Sequence, residues 1–250
     1  MAYPPHTSLN FTKTIHDDIY PAIDPTKSDL AQPSKVVLIT GAGRGIGRAV
    51  AIQYAKSGVT CIILCARTAS ELDDVKQEIN KIDRQIRVRN IALSITDEAQ
   101  VIAAAETVKK EEGRLDVLVN NAGVGGFPWV PIGDGIAESW WNTWNVHVNG
   151  TYLMLKAFLP LLVETAKKYD TIVDVLNTTS IGAQFTMPGA SAYQTSKFAI
   201  LRLSEFVMAE YGEQGVNCVA LSPGAVKTKM SIGSPVEPSK SRFSFMGEFS

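Results

Sequence analysis

The sequence predicts an α/β fold in which a parallel sheet is covered by helices on both faces. Short apolar runs rich in β-branched residues alternate along the chain with longer segments of helical periodicity. A glycine-rich segment directly follows the first of these runs. The length of 250 residues and the hydrophobic fraction of 45% are sufficient for one large domain. We therefore expect a single domain with a doubly wound sheet.

The apolar runs predict the strands, and the periodic segments between them predict the helices. Strands are expected at 36–40, 60–66, 86–93, 115–119, 171–177 and 216–221. Helices are expected at about 44–57, 69–81, 97–112, 137–168 and 191–212. Gly58 is predicted to end the first helix, and Thr96 to cap the start of the third.

Composition divides the chain into three parts. Residues 1–33 are interrupted by prolines without a lasting period, which predicts an N-terminal arm. Residues 34–230 carry the alternating pattern and form the predicted domain. Residues 231–250 are rich in Ser and Pro and predict an irregular tail.

Charge and composition exclude several classes of function. The net charge of −1 gives no basis for binding nucleic acid or a membrane surface through bulk electrostatics. Without a signal-peptide pattern or a run of eighteen apolar residues, the chain is expected to be soluble and cytoplasmic. Cys61, Cys65 and Cys218 cannot all pair, and the first two are expected to be buried. No metal site is predicted.

The segment 41–47, which reads G-A-G-R-G-I-G, lies between a buried strand and the start of a helix. Free backbone N–H groups and the helix dipole attract a pyrophosphate at such a place. Gly41 would make the turn, Gly45 would admit the phosphates, and Gly47 would let helix and strand approach closely. The segment, including Arg44 and Ile46, therefore predicts a Rossmann-type dinucleotide site.

The end of the second strand indicates which dinucleotide binds. A site selective for NAD(H) would carry Asp or Glu there to bond the ribose 2′-OH. Arg67 stands at this position instead, and Arg44 offers a second cation for a 2′-phosphate. The prediction is NADP(H) rather than NAD(H). The alternative interpretation is that Arg67 is an ordinary solvated residue at the start of the next helix.

Tyr193 and Lys197, four residues apart, lie on one face of a predicted helix. A nearby ammonium favours the phenolate and lowers the pKa of a tyrosine, which is about 10 when free. A shift of about three pKa units, worth roughly 4 kcal/mol, would make the tyrosine an acid or base at cellular pH. Ser180 precedes Tyr193 by thirteen residues and would bond the reacting oxygen. Alternatively, Tyr193 is a surface residue that packs over the lysine stem.

Five ordered motifs between about residues 35 and 230 resemble the short-chain dehydrogenase/reductase family, particularly its filamentous-fungal members. The glycine segment fits the T-G-x-x-x-G-x-G pattern, and residues 120–123 read N-N-A-G. Ser180, Tyr193 and Lys197 match the catalytic residues at the family's spacing. Residues 222–228 match the P-G-x-V-x-T segment.

The resemblance implies an NADP(H)-dependent oxidoreductase that interconverts a ketone and a secondary alcohol. Tyr193 would move the proton, Lys197 would lower its pKa and bind the nicotinamide ribose, and Ser180 would stabilise the oxyanion. Further cofactor contacts implied by the family's motifs are Asn121, Ala122, Gly123, Pro223, Gly224, Val226 and Thr228.

Two positions depart from the family pattern within the site. Ser94 stands where many members carry an Asp for the adenine amine, which weakens that contact. His147 stands where many members carry an Asn that holds a water in a proton relay to the lysine. His147 would hold the same water or be a satisfied helix histidine without a role. Asn149, two residues later, is expected to face elsewhere on the helix.

The substrate is expected to be of medium size and largely apolar. The resemblance to fungal members of the family implies a role in secondary metabolism. Gln184, Phe185 and Met187 are candidate pocket residues because they flank the reacting oxygen. Most tryptophans are expected in core or subunit contacts, with some left to line the pocket. Two alternatives stay open: a dinucleotide-binding protein without catalysis, and a dehydratase or epimerase on the same fold.

The C-terminus departs furthest from the family, whose members continue through a further helix and a seventh strand. The chain is therefore suspected to be a shortened product, with the sixth strand at the edge of the sheet. We expect a homodimer formed through the central helices rather than a tetramer.

Overall fold

One parallel sheet organises the chain. The computed structural model describes residues 14, 16, 19–126, 128–224, 226, 228 and 230. Within them, six strands pair in the order β3-β2-β1-β4-β5-β6, and every neighbouring pair is parallel. The strands are β1 (Val36–Thr40), β2 (Cys61–Ala66), β3 (Arg87–Ala92), β4 (Val117–Asn120), β5 (Val173–Thr178) and β6 (Val216–Leu221). The predicted doubly wound fold is confirmed, with the order reversing between β1 and β4.

Helices connect the strands on both sides of the sheet. They are α1 (Gly45–Lys56), α2 (Ala69–Ile82), α3 (Glu98–Glu111), α4 (Ala137–Trp144), α5 (Gly150–Tyr169) and α6 (Ser191–Tyr211). Gly58 follows α1 with a left-handed φ of 76°, as predicted for a residue that ends a helix. The prediction that Thr96 caps α3 is wrong, because the Asp97 side chain accepts the Gln100 N–H at 3.1 Å.

The predicted helix at 137–168 contains a π-helical turn between α4 and α5. This turn spans Asn145–Asn149, and the Gly150 N–H donates to the Asn145 carbonyl. The segment Ala137–Tyr169 is long and apolar enough to cross a membrane by length and composition, but 56% of its most apolar window is buried inside the fold. That burial is typical of the core helix of a soluble domain.

Alternate residues of each central strand enter two separate cores. Val36 and Leu38 of β1 pack with α3 and α5, whereas Val37 and Ile39 pack with α1 and α2. Both faces of the sheet are therefore covered by apolar side chains, which explains the continuous apolar strand sequences. The three cysteines are buried free thiols, and burial raises the pKa of Cys65 to about 12.

Both predicted terminal segments extend beyond the described residues. Most of residues 1–18 and all of residues 231–250 lie outside them, so the predicted arm is only partly described and the predicted tail lies outside the described residues. The described end of the arm contains two short 3₁₀ turns, and its Gln32 N–H donates to the Ser57 carbonyl after α1 at 2.7 Å. Among the described residues, β6 pairs only with β5.

Candidate active site

The predicted functional segments meet at the carboxyl ends of the parallel strands. The glycine segment follows β1, the N-N-A-G segment begins at the end of β4, Ser180 follows β5, and residues 222–228 follow β6. Because the strands are parallel, their carboxyl ends share one edge, and this is where α/β proteins bind ligands. Helix α6 brings Tyr193 and Lys197 to the same edge.

The glycine loop has the geometry that the sequence predicted. Gly41 and Gly45 have left-handed φ values of 66° and 55°. At Gly47, a Cβ would lie only 2.3 Å from the Gly41 carbonyl oxygen. Thr228 lies against the loop, since a Cβ on Gly45 would be 3.2 Å from its Cγ2. The loop therefore contributes backbone rather than its own side chains at the N-terminus of α1, where N–H groups can bind a pyrophosphate.

Thr40 joins the glycine loop to the N-N-A-G segment, and the sequence analysis missed it. Its Oγ1 accepts the N–H groups of Asn121 and Ala122 at 2.9 and 3.0 Å. The Asn121 side chain donates in turn to the Thr40 carbonyl at 3.0 Å. Asn121, predicted to lie beside the cofactor, therefore holds the turn that begins the loop. The sequence signal for this role is the position of Thr40, which directly precedes Gly41 in the glycine motif.

The two predicted phosphate-binding arginines have different surroundings. Arg67 is exposed, whereas Arg44 donates to the Glu71 carboxylate at 3.3 Å. Glu71 lies in the first turn of α2, and a Cβ on Gly43 would be 2.8 Å from its Cβ. The structure thus places a carboxylate beside the predicted 2′-phosphate site. The sequence analysis missed this residue.

Ser94 occupies the predicted adenine end of the site. Its Oγ lies 2.9 Å from Thr96 Oγ1, and its N–H donates to the Gln100 side chain at 2.9 Å. The hydroxyl predicted to meet the adenine therefore already has a protein partner. Thr96, predicted as a helix cap, is turned to this contact instead.

Ser180 and Tyr193 lie side by side at the carboxyl ends of the strands, where burial raises the pKa of Tyr193 and the Ser180 hydroxyl partly opposes that rise. The Ser180 Oγ also accepts the Gly182 N–H at 3.1 Å, which fixes its direction. Lys197 is 5% exposed, and its Nζ donates to the Thr178 carbonyl at 2.9 Å. The Nζ lies 5.8 Å from the centre of the Tyr193 ring.

Burial dominates the protonation of both groups. It raises the pKa of Tyr193 by more than the nearby Ser180 hydroxyl lowers it, and it lowers the pKa of Lys197 to about 8. The pKa of Tyr193 is therefore raised in this structure rather than lowered as the sequence predicted. The ammonium is bound to Thr178, and its distance from the ring leaves desolvation as the larger effect.

His147 is 1% exposed within the π-helical turn, and both of its ring nitrogens have protein partners. Nε2 accepts the Val124 N–H at 3.0 Å, and Nδ1 lies 2.8 Å from Ser196 Oγ. Burial, together with the Lys197 charge, lowers the His147 pKa well below 6.5. Asn149 bonds Asn145 on the exposed side of the helix, facing elsewhere as predicted.

The predicted pocket residues lie on the loop between Ser180 and α6. Phe185 and Met187 are partly buried and Gln184 is exposed. The Met187 N–H donates to the Gln194 side chain at 2.8 Å, so a residue inside the catalytic motif holds this loop. Sequence analysis missed that role.

The tryptophans separate into two groups, as the sequence allowed. The Trp129 ring centre lies 6.3 Å from that of Tyr193, and its Nε1 donates to the Gly125 carbonyl at 3.1 Å. Trp140, Trp141 and Trp144 cluster on α4 instead. The indole N–H groups of Trp140 and Trp144 donate to α6 at 3.0 and 3.2 Å. Trp129 is therefore the tryptophan beside the predicted proton donor.

Comparison with known proteins agrees with this arrangement. Residues 35–236 match a family model described as short chain dehydrogenase. The short chain dehydrogenase mpl6 of Monascus purpureus is 41% identical over 240 residues, covering 94% of this chain and 79% of that protein.

Solved structures with similar folds carry either dinucleotide. A metagenomic short-chain oxidoreductase in complex with NADP is 29% identical with a TM-score of 0.69, covering 77% of this chain and 83% of that one. An NAD+-bound xylitol dehydrogenase is 28% identical with a TM-score of 0.69, covering 76% of this chain and 70% of that one. Since the family model matches most of its length, the chain belongs to the short chain dehydrogenase family.

Proposed function

We propose that the chain is an NADP(H)-dependent oxidoreductase that interconverts a ketone and a secondary alcohol. The observation that carries this proposal is the placement of Ser180 beside the buried Tyr193, with Lys197 Nζ 5.8 Å from the centre of the Tyr193 ring. In this arrangement Tyr193 donates the proton during reduction of the ketone and accepts it during oxidation of the alcohol.

In reduction, the nicotinamide cofactor supplies the hydride that the carbonyl carbon receives. Tyr193 donates its phenolic proton to the carbonyl oxygen and is left as the phenolate. Ser180 donates a hydrogen bond to the same oxygen while negative charge develops on it. Ser180 Oγ accepts the Gly182 N–H, so its own hydroxyl hydrogen is available for the substrate oxygen.

Lys197 restores Tyr193 after the transfer. With a pKa of about 8, Lys197 is mostly charged at neutral pH, and an ammonium one helical turn away stabilises the phenolate. One of its three N–H bonds goes to Thr178, so two remain for the nicotinamide ribose and for the proton path to solvent.

The residues proposed to hold the cofactor lie at the carboxyl ends of the strands. Gly41, Gly45 and Gly47 fit the pyrophosphate because a Cβ on any of them would crowd the turn, and Ile46 between them is proposed as a further contact. Arg44 and Arg67 are proposed to bind the 2′-phosphate that distinguishes NADP(H) from NAD(H). The remaining proposed contacts are Ser94, Asn121, Ala122, Gly123, Pro223, Gly224, Val226 and Thr228.

The substrate is proposed to be medium-sized and largely apolar. Trp129 beside Tyr193 supports an apolar wall, and Phe185 and Met187 on the facing loop extend it, with Gln184 at the rim. Similarity to short chain dehydrogenases of Monascus species supports a place in fungal secondary metabolism.

We further propose a cytoplasmic homodimer. The three free thiols support a reducing compartment. The helices α5 and α6 expose Tyr152, Phe198 and Phe206, which are 49%, 56% and 55% accessible. Exposed aromatic residues on adjacent helices are typical of a subunit interface.

A titration followed by turnover tests the function. Tryptophan fluorescence should show tight binding of NADPH and weaker binding of NADH, and NADPH absorbance should then fall with a panel of cyclic and aryl ketones. Tyr193→Phe removes one hydroxyl and should abolish turnover with nearly unchanged NADPH affinity. Turnover that survives this change would contradict the mechanism. Tight NADPH binding without consumption by any ketone would favour the non-catalytic alternative, or the epimerase alternative if a substrate is converted without net change in NADPH.

A further inference from the structure

A continuous chain of hydrogen bonds links the loop after β4 to the backbone of the catalytic helix. The Val124 N–H bonds His147 Nε2 at 3.0 Å, and His147 Nδ1 bonds Ser196 Oγ at 2.8 Å. Ser196 Oγ then donates to the Tyr193 carbonyl at 2.7 Å. We call these four residues the histidine clamp. It crosses three segments: the loop at Val124, the π-helical turn and α6.

The donors and acceptors at the two ends of the clamp determine the state of the imidazole. An amide N–H only donates, so Nε2 of His147 carries no proton. A carbonyl oxygen only accepts, so the Ser196 hydroxyl hydrogen points to Tyr193 and its oxygen must accept from Nδ1. His147 is therefore the neutral Nδ1–H tautomer.

Burial and nearby charge hold the imidazole in that state. Lys197 and Tyr193, both on α6, are the titratable groups that the structure describes against His147, and the ring centres of Tyr193 and His147 are 5.5 Å apart. A second proton on the ring would lie beside the Lys197 ammonium and would break the bond from Val124. A water relay through His147 would also have to displace one of these partners.

The clamp adjoins the proposed cofactor site. A Cβ on Gly123 would lie 3.0 Å from His147 Nε2 and 3.8 Å from Lys197 Nζ. Movement of the imidazole would therefore shift both the loop at Gly123 and the neighbourhood of the lysine. The other end of the clamp bonds the backbone of Tyr193 itself.

We propose that His147 is a positioning residue, not a proton carrier, and that the histidine clamp holds the proton donor in register with the nicotinamide site. Its effect on turnover rests on the proposed function, whereas its tautomer and its bond to Val124 do not. An imidazole suits this role because its two nitrogens point in opposite directions and bridge segments that one short amide would not span.

The first test is nuclear magnetic resonance of the full chain labelled with ¹⁵N-histidine. The signal that disappears in His147→Asn identifies the residue. We expect Nδ1 to be protonated and Nε2 unprotonated near neutral pH, with no imidazolium forming as the pH falls to about 5.5, one unit below the ordinary histidine pKa. An Nε2–H tautomer, or an imidazolium near pH 6.5, would overturn the proposal.

The second test compares His147→Asn and Ser196→Ala by hydrogen exchange and kinetics. His147→Asn should speed exchange at the Val124 amide by about tenfold or more, since the amide loses its acceptor. Ser196→Ala should leave that amide protected, because the bond to Nε2 stays. Both variants should lower kcat by about tenfold to a hundredfold with little change in ketone KM, as expected of a misplaced proton donor.

Controls and the double variant distinguish positioning from general damage. Thr195→Ala removes a hydroxyl from the adjacent residue of α6 and should leave Val124 exchange and kcat unchanged. The double variant of His147 and Ser196 should lose no more kcat than the worse single variant, because both act in one chain.

Each outcome decides one of the two proposals. Wild-type kcat in Ser196→Ala, or additive losses in the double variant, would overturn the positioning role. If His147→Asn fails to fold, the wild-type tautomer and the Ser196→Ala variant still decide. Wild-type protein without turnover on any ketone, but with the expected tautomer and protected Val124 amide, would contradict the proposed function and leave the clamp confirmed.

Discussion

The buried Lys197 should cost the fold stability, so replacing it with methionine should stabilise the protein while removing activity. Lys197 is 5% exposed and has no carboxylate partner among the described residues, only the Thr178 carbonyl. Lys197→Met keeps an unbranched apolar stem of similar length. The variant therefore removes the charge with little change in packing.

The size of the effect follows from the pKa. Burial lowers it from 10.5 to about 8, and a shift of about 2.5 units corresponds to roughly 3 kcal/mol of unfavourable burial near pH 7. Losing the hydrogen bond to Thr178 offsets about 1 kcal/mol. The net expectation is a gain of about 2 kcal/mol, or roughly 4–8 °C in Tm for a chain of this size.

The sign of the pH dependence provides the sharper test. Between pH 8 and 10.5 the unfolded chain binds a proton at Lys197 that the folded chain does not. The stability of the wild type therefore rises with pH through this window, and the advantage of Lys197→Met should shrink to near zero at about pH 9.5. Buried thiols that titrate near this range are common to both proteins, so their contribution cancels in the comparison.

Equilibrium urea unfolding, followed by tryptophan fluorescence at the two pH values, measures both quantities. Lys167→Met, at an exposed position on α5, is the matched control and should show no comparable gain. If Lys197→Met were less stable than the wild type near pH 7, or if its advantage did not change with pH, the reasoning from burial would be refuted.

Four further predictions test other parts of the site and fold. Arg67→Ala should weaken NADPH binding about tenfold or more and NADH binding much less, since a charge-assisted bond to the 2′-phosphate is lost; equal losses in the two titrations would exclude this role. Glu71→Gln should tighten NADPH binding about two- to fivefold and leave NADH unchanged, because Arg44 is released from a partly exposed ion pair; an unchanged NADPH affinity would show that the pair does not compete. Gly47→Ala should destabilise the fold by about 3 kcal/mol or more in urea unfolding, because its Cβ would lie 2.3 Å from a backbone oxygen. The control Gly133→Ala should have little effect, because nothing lies within 4 Å of a Cβ at that position. Phe206→Glu should convert the proposed dimer to a monomer in sedimentation velocity, and a wild-type sedimentation coefficient for the variant would place the interface elsewhere.

Local sequence pattern was sufficient for the elements that are proposed to position the cofactor. The run Val36–Thr40 is apolar at every position because both faces of the sheet are covered, and it was predicted with the observed bounds. The glycines could be assigned in advance because a left-handed φ favours glycine and a carbonyl oxygen 2.3 Å from the position of a Cβ excludes a side chain. In both cases, the constraint acts within a few residues.

The errors concern properties that apolar periodicity and residue spacing do not report. Asp97 rather than Thr96 caps α3 because Thr96 is engaged with Ser94, a contact that periodicity does not reveal. The helix at 137–168 contains a π-helical turn, although its apolar pattern continues across that turn. The raised pKa of Tyr193 depends on how deeply α6 is buried, and a spacing of four residues from a lysine does not report burial.

The states of His147 and Lys197 depend on each other, and together they explain why the site tolerates a buried cation. A neutral imidazole beside Lys197 adds a dipole but no second charge, so the ammonium faces no repulsion from the clamp. The two groups limit the pH range of the site from opposite sides of neutrality, His147 through stability and Lys197 through its charge. Below pH 6.5 the unfolded chain binds a proton at His147 that the folded chain excludes, which lowers stability by about 1.4 kcal/mol per pH unit. Above pH 8 the folded Lys197 has released its proton and the burial cost declines, but the ammonium that supports the Tyr193 phenolate is then lost. The site should therefore combine an intact clamp with a charged lysine only between these limits, which include the pH of the cytoplasm.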